Sequence, residues 1–155
     1  MSPTSVSRLA SQITFAIHTD NLQLQDHIFA FRDAKFSPYP RSEFEYILRG
    51  SLDTHTNLST FESTQVLSQL TSALEYLHNR QPPVAHRDIK PANILVSKRE
   101  DDGIYVKFAD FGLSKAADTL EAFCGTLEWA APEICLKAAN RKGAANDTYR
   151  VAVDI

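Results

Sequence analysis

His86-Arg87-Asp88-Ile89-Lys90-Pro91-Ala92-Asn93 runs directly into the apolar triplet Ile94-Leu95-Val96. The first eight residues crowd charged and polar side chains around a proline. The triplet that follows has the β-branched content of a short strand. Seventeen residues after Asn93 stands Asp110-Phe111-Gly112, at the end of a second apolar run, Ile104–Phe108. Both clusters therefore sit where a strand meets a loop, which is where functional side chains are commonly mounted. Between the two strands, Glu100-Asp101-Asp102-Gly103 has the composition of a hairpin turn.

Upstream of this core lies the clearest helix, predicted over Phe61–Asn79. Ser59-Thr60-Phe61-Glu62 has the S-x-x-E spacing of a capping box. Val66, Leu67, Leu70, Ala73, Leu74 and Leu77 then recur at helical spacing, and Pro82-Pro83 stops the run. Before it, His27–Ala34 and Phe44–Leu48 are predicted strands, separated by the turn Phe36-Ser37-Pro38-Tyr39-Pro40. Residues 1–26 form a poorly defined segment in which Ile13, Phe15 and Ile17 alternate, a pattern that suits a short strand and a frayed helix equally. From Leu113 to Ile155 the pattern is mostly loop, with one short helix near Pro132–Ala138.

Composition narrows the function classes. The chain has 155 residues, 43% of them apolar, with a formal charge of −3. That suffices for a packed core and argues against a nucleic-acid surface driven by bulk charge. Cys124 and Cys135 are the only cysteines, too few for a disulfide framework or a four-ligand zinc site. No apolar run approaches the ~20 residues of a membrane span. The opening stretch lacks a secretory pattern, and Arg8 alone is too little for a transit peptide. The expectation is a cytoplasmic or nuclear protein without a membrane partner. Its oligomeric state is left open.

A third cluster, Gly125-Thr126-Leu127-Glu128-Trp129-Ala130-Ala131-Pro132-Glu133, follows Asp110-Phe111-Gly112. The three clusters in this order resemble the eukaryotic protein kinase family, and Asp-Ile-Lys-Pro-Ala-Asn resembles its serine/threonine branch. The resemblance implies an incomplete α+β kinase-like fold over 27–155. It would comprise the last small-lobe strands, a hinge near 44–50, and the first half of the mainly helical large lobe. The catalytic loop would be 86–93 and the activation segment 110–133. It further implies transfer of the ATP γ-phosphate to a Ser/Thr of a protein substrate, with Mg²⁺. Asp88 would orient the substrate hydroxyl and Lys90 would meet the transferred phosphate. Asn93 and Asp110 would offer oxygens to Mg²⁺. Phe44-Glu45-Tyr46-Ile47-Leu48-Arg49-Gly50-Ser51-Leu52 resembles the hinge, with Phe44, Glu45 and Ile47 facing adenine and Leu95 below it. His86 and Phe111 would stack, Asp154 would hold the catalytic-loop backbone, and Thr126 would contact Asp88 and Lys90.

Departures from the family pattern carry expectations of their own. No glycine precedes Gly50, the first lysine is Lys35 and the first glutamate is Glu43. The glycine-rich phosphate loop, the strand lysine and its glutamate partner are thus missing from these residues, so the chain alone is expected to be weak or inactive. Val66, Leu70 and Leu77 would normally pack partly on a later helix, and their exposure would cost about 1.5–3 kcal/mol each. Ala122 stands where a phosphorylated threonine is usual in the family, so loss of this switch is the expectation; the alternatives are Thr119 or Ser114 as replacement sites, or Glu121 as a constitutive, weaker charge. Cys124 reads as a packed thiol rather than a nucleophile. The alternatives are a pseudokinase-type scaffold, against which the retained Asp88, Asn93 and Asp110 speak, and a truncated non-functional fragment.

Overall fold

The computed structural model describes residues 27–28, 31–35, 41–44, 46–117, 120, 124–139 and 148–155. The alternating stretch Ile13–Ile17 and the turn at 36–40 lie outside them, as do Thr119, Glu121 and Ala122.

The elements in chain order are β1 (Phe31–Lys35), β2 (Arg41–Phe44), α1 (Thr60–His78), β3 (Val84–Ala85), β4 (Ile94–Glu100), β5 (Gly103–Phe108), β6 (Lys115–Ala116) and α2 (Pro132–Ala139). Among the described residues the strands form three antiparallel pairs, β1 with β2, β3 with β6, and β4 with β5. This is an α+β arrangement.

The β4–β5 hairpin is the centre of the main core. Its turn is Asp101-Asp102, with Glu100 opposite Gly103 and Ile94 opposite Phe108. Side chains alternate between faces, so Ile94, Val96, Ile104, Val106 and Phe108 are buried together while Ser97 and Tyr105 face outward. Onto that buried face α1 lays Val66, Ala73, Tyr76 and Leu77, positions that share one side of a helix.

Hydrogen bonds fix the same docking. Gln65 Oε1 accepts from Ile104 N at 2.9 Å and Gln69 Oε1 from Val106 N at 2.9 Å. Gln69 Nε2 donates to the Ile104 carbonyl at 2.7 Å. Four helical residues rise ~6 Å and two strand residues span ~6.7 Å, so glutamines one turn apart meet every second strand residue. Further along β5, Phe108 N donates to the His27 carbonyl at 2.9 Å. The outer edge of β5 is thereby occupied.

α1 starts as its sequence dictates. Ser59 Oγ accepts from Glu62 N at 3.1 Å, and Ser59 N donates to Glu62 Oε2 at 2.8 Å. Two expectations about the helix are corrected. Val66 and Leu77 are buried against the hairpin rather than exposed, and Leu70 packs at its margin. Leu67 is 66% exposed, because one residue's step of about 100° carries it off the Val66 face.

The strand boundaries also shift. β2 ends at Phe44 instead of beginning there, because 46–50 has no ladder partner and turns at Gly50, φ +73°. Tyr46 and Leu48 are accordingly exposed. β1 begins at Phe31, while Ile28 instead bridges to Phe108. A second, smaller core joins Ala85, Leu120, Ile134 and Tyr149.

Candidate active site

The His86–Asn93 loop follows β3 and is held from its far side by Asp154. One carboxylate oxygen accepts from His86 N and the other from Arg87 N, each at 2.8 Å. Arg87 has φ +73°, a left-handed conformation that non-glycine residues adopt only when neighbours enforce it. The two Asp154 bonds supply that enforcement. Ser114 Oγ donates to the His86 carbonyl at 3.3 Å, so the buried Ser114 hydroxyl is already used inside the loop's support. This argues against Ser114 as a stand-in phosphorylation site.

Asp88 sits at the focus of four donors. Its Oδ1 accepts from Thr126 N at 2.9 Å and Thr126 Oγ1 at 2.8 Å. Its Oδ2 accepts from Lys90 Nζ and Asn93 Nδ2, both at 2.9 Å. Lys90 Nζ also donates to Thr126 Oγ1 at 2.7 Å, closing a ring of three side chains. Burial alone would push the Asp88 carboxyl up. The donors from Lys90, Thr126 and Asn93, with the Lys90 charge, outweigh it and hold Asp88 below the ordinary carboxylate range. The arrangement is an oriented, ionised carboxylate beside a cation.

Asn93 ends a proline-initiated 3-10 turn and faces the loop's interior. Its Nδ2 donates to the Asp88 carbonyl at 2.8 Å as well as to the side chain. Both amide hydrogens are thus committed, which leaves Oδ1 as the outward acceptor. The Asn93 carbonyl accepts from Ala109 N at 2.9 Å, so Asn93 lies against the residue before Asp110. Asp110 has φ +56°, and its Oδ1 accepts from Gly112 N at 3.2 Å. Its side chain is exposed, and Oδ2 accepts no hydrogen bond among the described residues. Asn93 Oδ1 and an Asp110 carboxylate oxygen are two hard oxygens of the kind Mg²⁺ takes. No group of three or more His, Cys, Asp and Glu among the described residues is placed to hold a metal unaided.

His86 ties these parts together. Its fully buried ring lies 4.7 Å from Phe111 and 5.3 Å from Phe108, centroid to centroid. Nε2 donates to the Ala109 carbonyl at 2.9 Å. Desolvation pushes the ring's pKa below its ordinary value.

The residues expected around adenine are placed unequally. Phe44 pairs in register with Phe31 at the end of β2, and Glu45 lies outside the described residues. Ile47 is half-buried, and Leu95 is half-buried on β4. The chain meets β4 at Gly50 and Ser51, since Val96 N donates to the Gly50 carbonyl at 2.9 Å and Ser51 bridges to Leu95. Beside Asp88 a cavity of about 420 Å³ opens, lined by Gly125, Thr126, Trp129 and Pro132 among others. Cys124 at its wall is half-buried, and burial pushes its thiol pKa up, which makes it a poor nucleophile.

Two contributors escaped the sequence reading. The two-residue strands β3 and β6, which bracket the loop, are too short to carry periodicity. Gly125 carries no signal of its own beyond its motif, yet φ +99° and its nearness to Arg87 give it a specific task.

Comparison with known proteins accords with this geometry. The chain is 39% identical over 101 residues to a probable serine/threonine-protein kinase of Dictyostelium discoideum, covering 58% of this chain and 10% of that protein. It is also 39% identical over 101 residues to serine/threonine-protein kinase CTR1 of Arabidopsis thaliana, covering 58% and 12%. A probable myosin light chain kinase of Dictyostelium discoideum shares 42% over 81 residues, covering 50% and 20%. The chain spans at most a fifth of the length of these relatives. Residues 31–155 match the protein kinase domain family, most of the chain and all three sequence clusters, and on that match the chain belongs to the protein kinase family.

Proposed function

We propose that the chain forms the catalytic-loop side of a serine/threonine protein kinase, which moves the γ-phosphate of ATP to a Ser or Thr hydroxyl of a protein. The observation that carries this reading is Asp88, ionised and oriented by Thr126, Lys90 and Asn93. Bound Mg-ATP would supply a transferable phosphoryl group with part of its charge already neutralised. Asn93 and Asp110 would hold the magnesium through the two oxygens described above. Phe44, Glu45, Ile47 and Leu95 would line the adenine side. Asp88 would orient the incoming hydroxyl and take its proton, and Lys90 would offset phosphate charge as the bond forms.

Family kinases use ATP and Mg²⁺, and protein substrates follow from the same membership. Among the described residues no helix is long and apolar enough to cross a membrane. The residues before Gly50 contain no glycine, and those before Lys35 no lysine. The 155-residue chain by itself therefore grips the phosphates poorly and transfers slowly.

The experiment follows label from γ-labelled ATP into a Ser/Thr-rich protein, comparing the natural chain with Asp88→Asn. The reading expects a weak signal that falls by about 10²–10⁴-fold in the variant. Equal incorporation by both would defeat the assignment of Asp88, and rapid Asp88-dependent transfer would defeat the expected weakness of the isolated chain.

A further inference from the structure

Leu120 belongs to no helix or strand, yet it is fully buried against Ala85, Ile134 and Tyr149 in the smaller core. Its backbone is paired as well. Leu120 N donates to the Tyr149 carbonyl at 2.9 Å, and Tyr149 N donates to the Leu120 carbonyl at 2.8 Å. The two residues thus exchange both bonds in a closed antiparallel bridge. Ala85 immediately precedes His86, so the pocket that takes Leu120 is built partly from the root of the Asp88 loop.

Contacts on either side fix the same stretch of chain. Upstream, β6 pairs with β3, and Ala117 N donates to the Pro83 carbonyl at 3.0 Å. Downstream, Thr126 donates its two bonds to Asp88. Leu120 stands between them. The cation of the loop is held from within too. The Arg87 guanidinium lies 5.7 Å from the centre of the buried Tyr149 ring, within cation–π range, and Nη1 donates to the Leu113 carbonyl at 3.4 Å. Position 122 is alanine and has no hydroxyl to carry a phosphate toward Arg87. Apolar burial and backbone pairing are what fasten this stretch.

We propose that Leu120 and Tyr149 form a phosphate-independent latch. The Leu120 side chain and the paired backbones hold the stretch between Asp110 and Glu133 against the catalytic loop and keep Thr126 on Asp88. The latch itself stands on geometry; its meaning, a site kept in order without phosphorylation, rests on the kinase reading.

The test uses the full 155-residue chain, shown by intact mass to carry no phosphate, and reads amide hydrogen exchange by NMR. In the natural chain the Leu120, Tyr149 and Thr126 amides should exchange about a hundredfold or more slower than in an unfolded peptide. Exchange at unfolded rates would overturn the latch, and this measurement needs no variant to fold. Leu120→Ala empties the pocket and should quicken exchange at Tyr149 and Thr126 about tenfold or more, with Val66 and Ala73 unchanged. Leu120→Met nearly conserves the volume and should keep the protection. Unchanged exchange at Thr126 in Leu120→Ala, or equal loss in both variants, would overturn the latch. Ala122→Asp supplies a negative charge and should leave exchange at Thr126 as it is. Slowing there by about tenfold or more would show a stretch that awaits an anion, and would overturn the proposal. Absence of Asp88-dependent transfer alongside the expected exchange pattern would count against the kinase reading and leave the latch standing.

Discussion

Gly125 packs directly over the carbonyl of Arg87: a Cβ built on it would lie 2.5 Å from that oxygen. The contact brings the segment after Asp110 onto the loop that carries Asp88, and Thr126, the next residue, then delivers two hydrogen bonds to Asp88 Oδ1. Gly125 also has φ +99°, where any side chain is strained. Gly125→Ala should therefore push the segment off the loop. The expected result is a loss of about 1–3 kcal/mol in stability by urea titration, with faster exchange at the Thr126 amide.

The N-terminus of α1 predicts an acid-sensitive contribution. Arg99 Nε donates to Glu62 Oε1 at 2.6 Å and Ser59 N donates to Oε2. Led by Arg99, these bonds pull the Glu62 carboxyl from 4.5 to about 2. A carboxyl depressed in the folded state binds protons more readily when unfolded. Its stabilisation is thus complete above 4.5 and fades as pH falls toward about 2. The stability gap between the natural chain and Glu62→Gln should close over that window in denaturant titrations. Ser59→Ala should cost about 0.5–2 kcal/mol near neutrality.

His86 predicts a second pH effect at higher pH. Desolvation holds its folded pKa below the ordinary 6.5, so the unfolded chain takes up the proton first. Stability from this residue is full above 6.5 and declines as pH drops below it. His86→Phe, which keeps a ring against Phe108 and Phe111, should flatten this part of the pH profile. An unchanged slope would show that His86 is not held neutral.

The glutamine pair offers a test of how α1 is docked. Gln69→Leu leaves Val106 N and the Ile104 carbonyl without side-chain partners at a half-buried seam. A loss of about 1–3 kcal/mol is expected, and a variant as stable as the natural chain would show that apolar packing alone seats the helix.

Much of this was legible in the residues. The capping box at Ser59 and Glu62, the hairpin turn before Gly103 and the His86–Phe111 stacking follow from local spacing or from family motifs. So do the Asp154 and Thr126 contacts. Less legible was whatever depends on long-range partners. Phe44–Leu48 has strand composition, but ladder pairing stops at Phe44, and composition does not reveal where a partner strand ends. Val66 and Leu77 were expected to lie open for want of a later helix, yet the β4–β5 hairpin covers them. His78 carried no motif, since a histidine at the end of an amphipathic helix looks like any other until Asp154, 76 residues away, is placed beside it.

The central claim is that Asn93 and Asp110 form a magnesium-dependent nucleotide site beside an oriented Asp88. Its most direct measurement is ATP binding to the 155-residue chain by calorimetry, with and without Mg²⁺, for the natural sequence and for Asp110→Asn. The account predicts weak binding that tightens about tenfold or more with Mg²⁺, with that gain lost in Asp110→Asn and kept in Asp88→Asn. ATP binding indifferent to Mg²⁺, or an equal gain in Asp110→Asn, would contradict it.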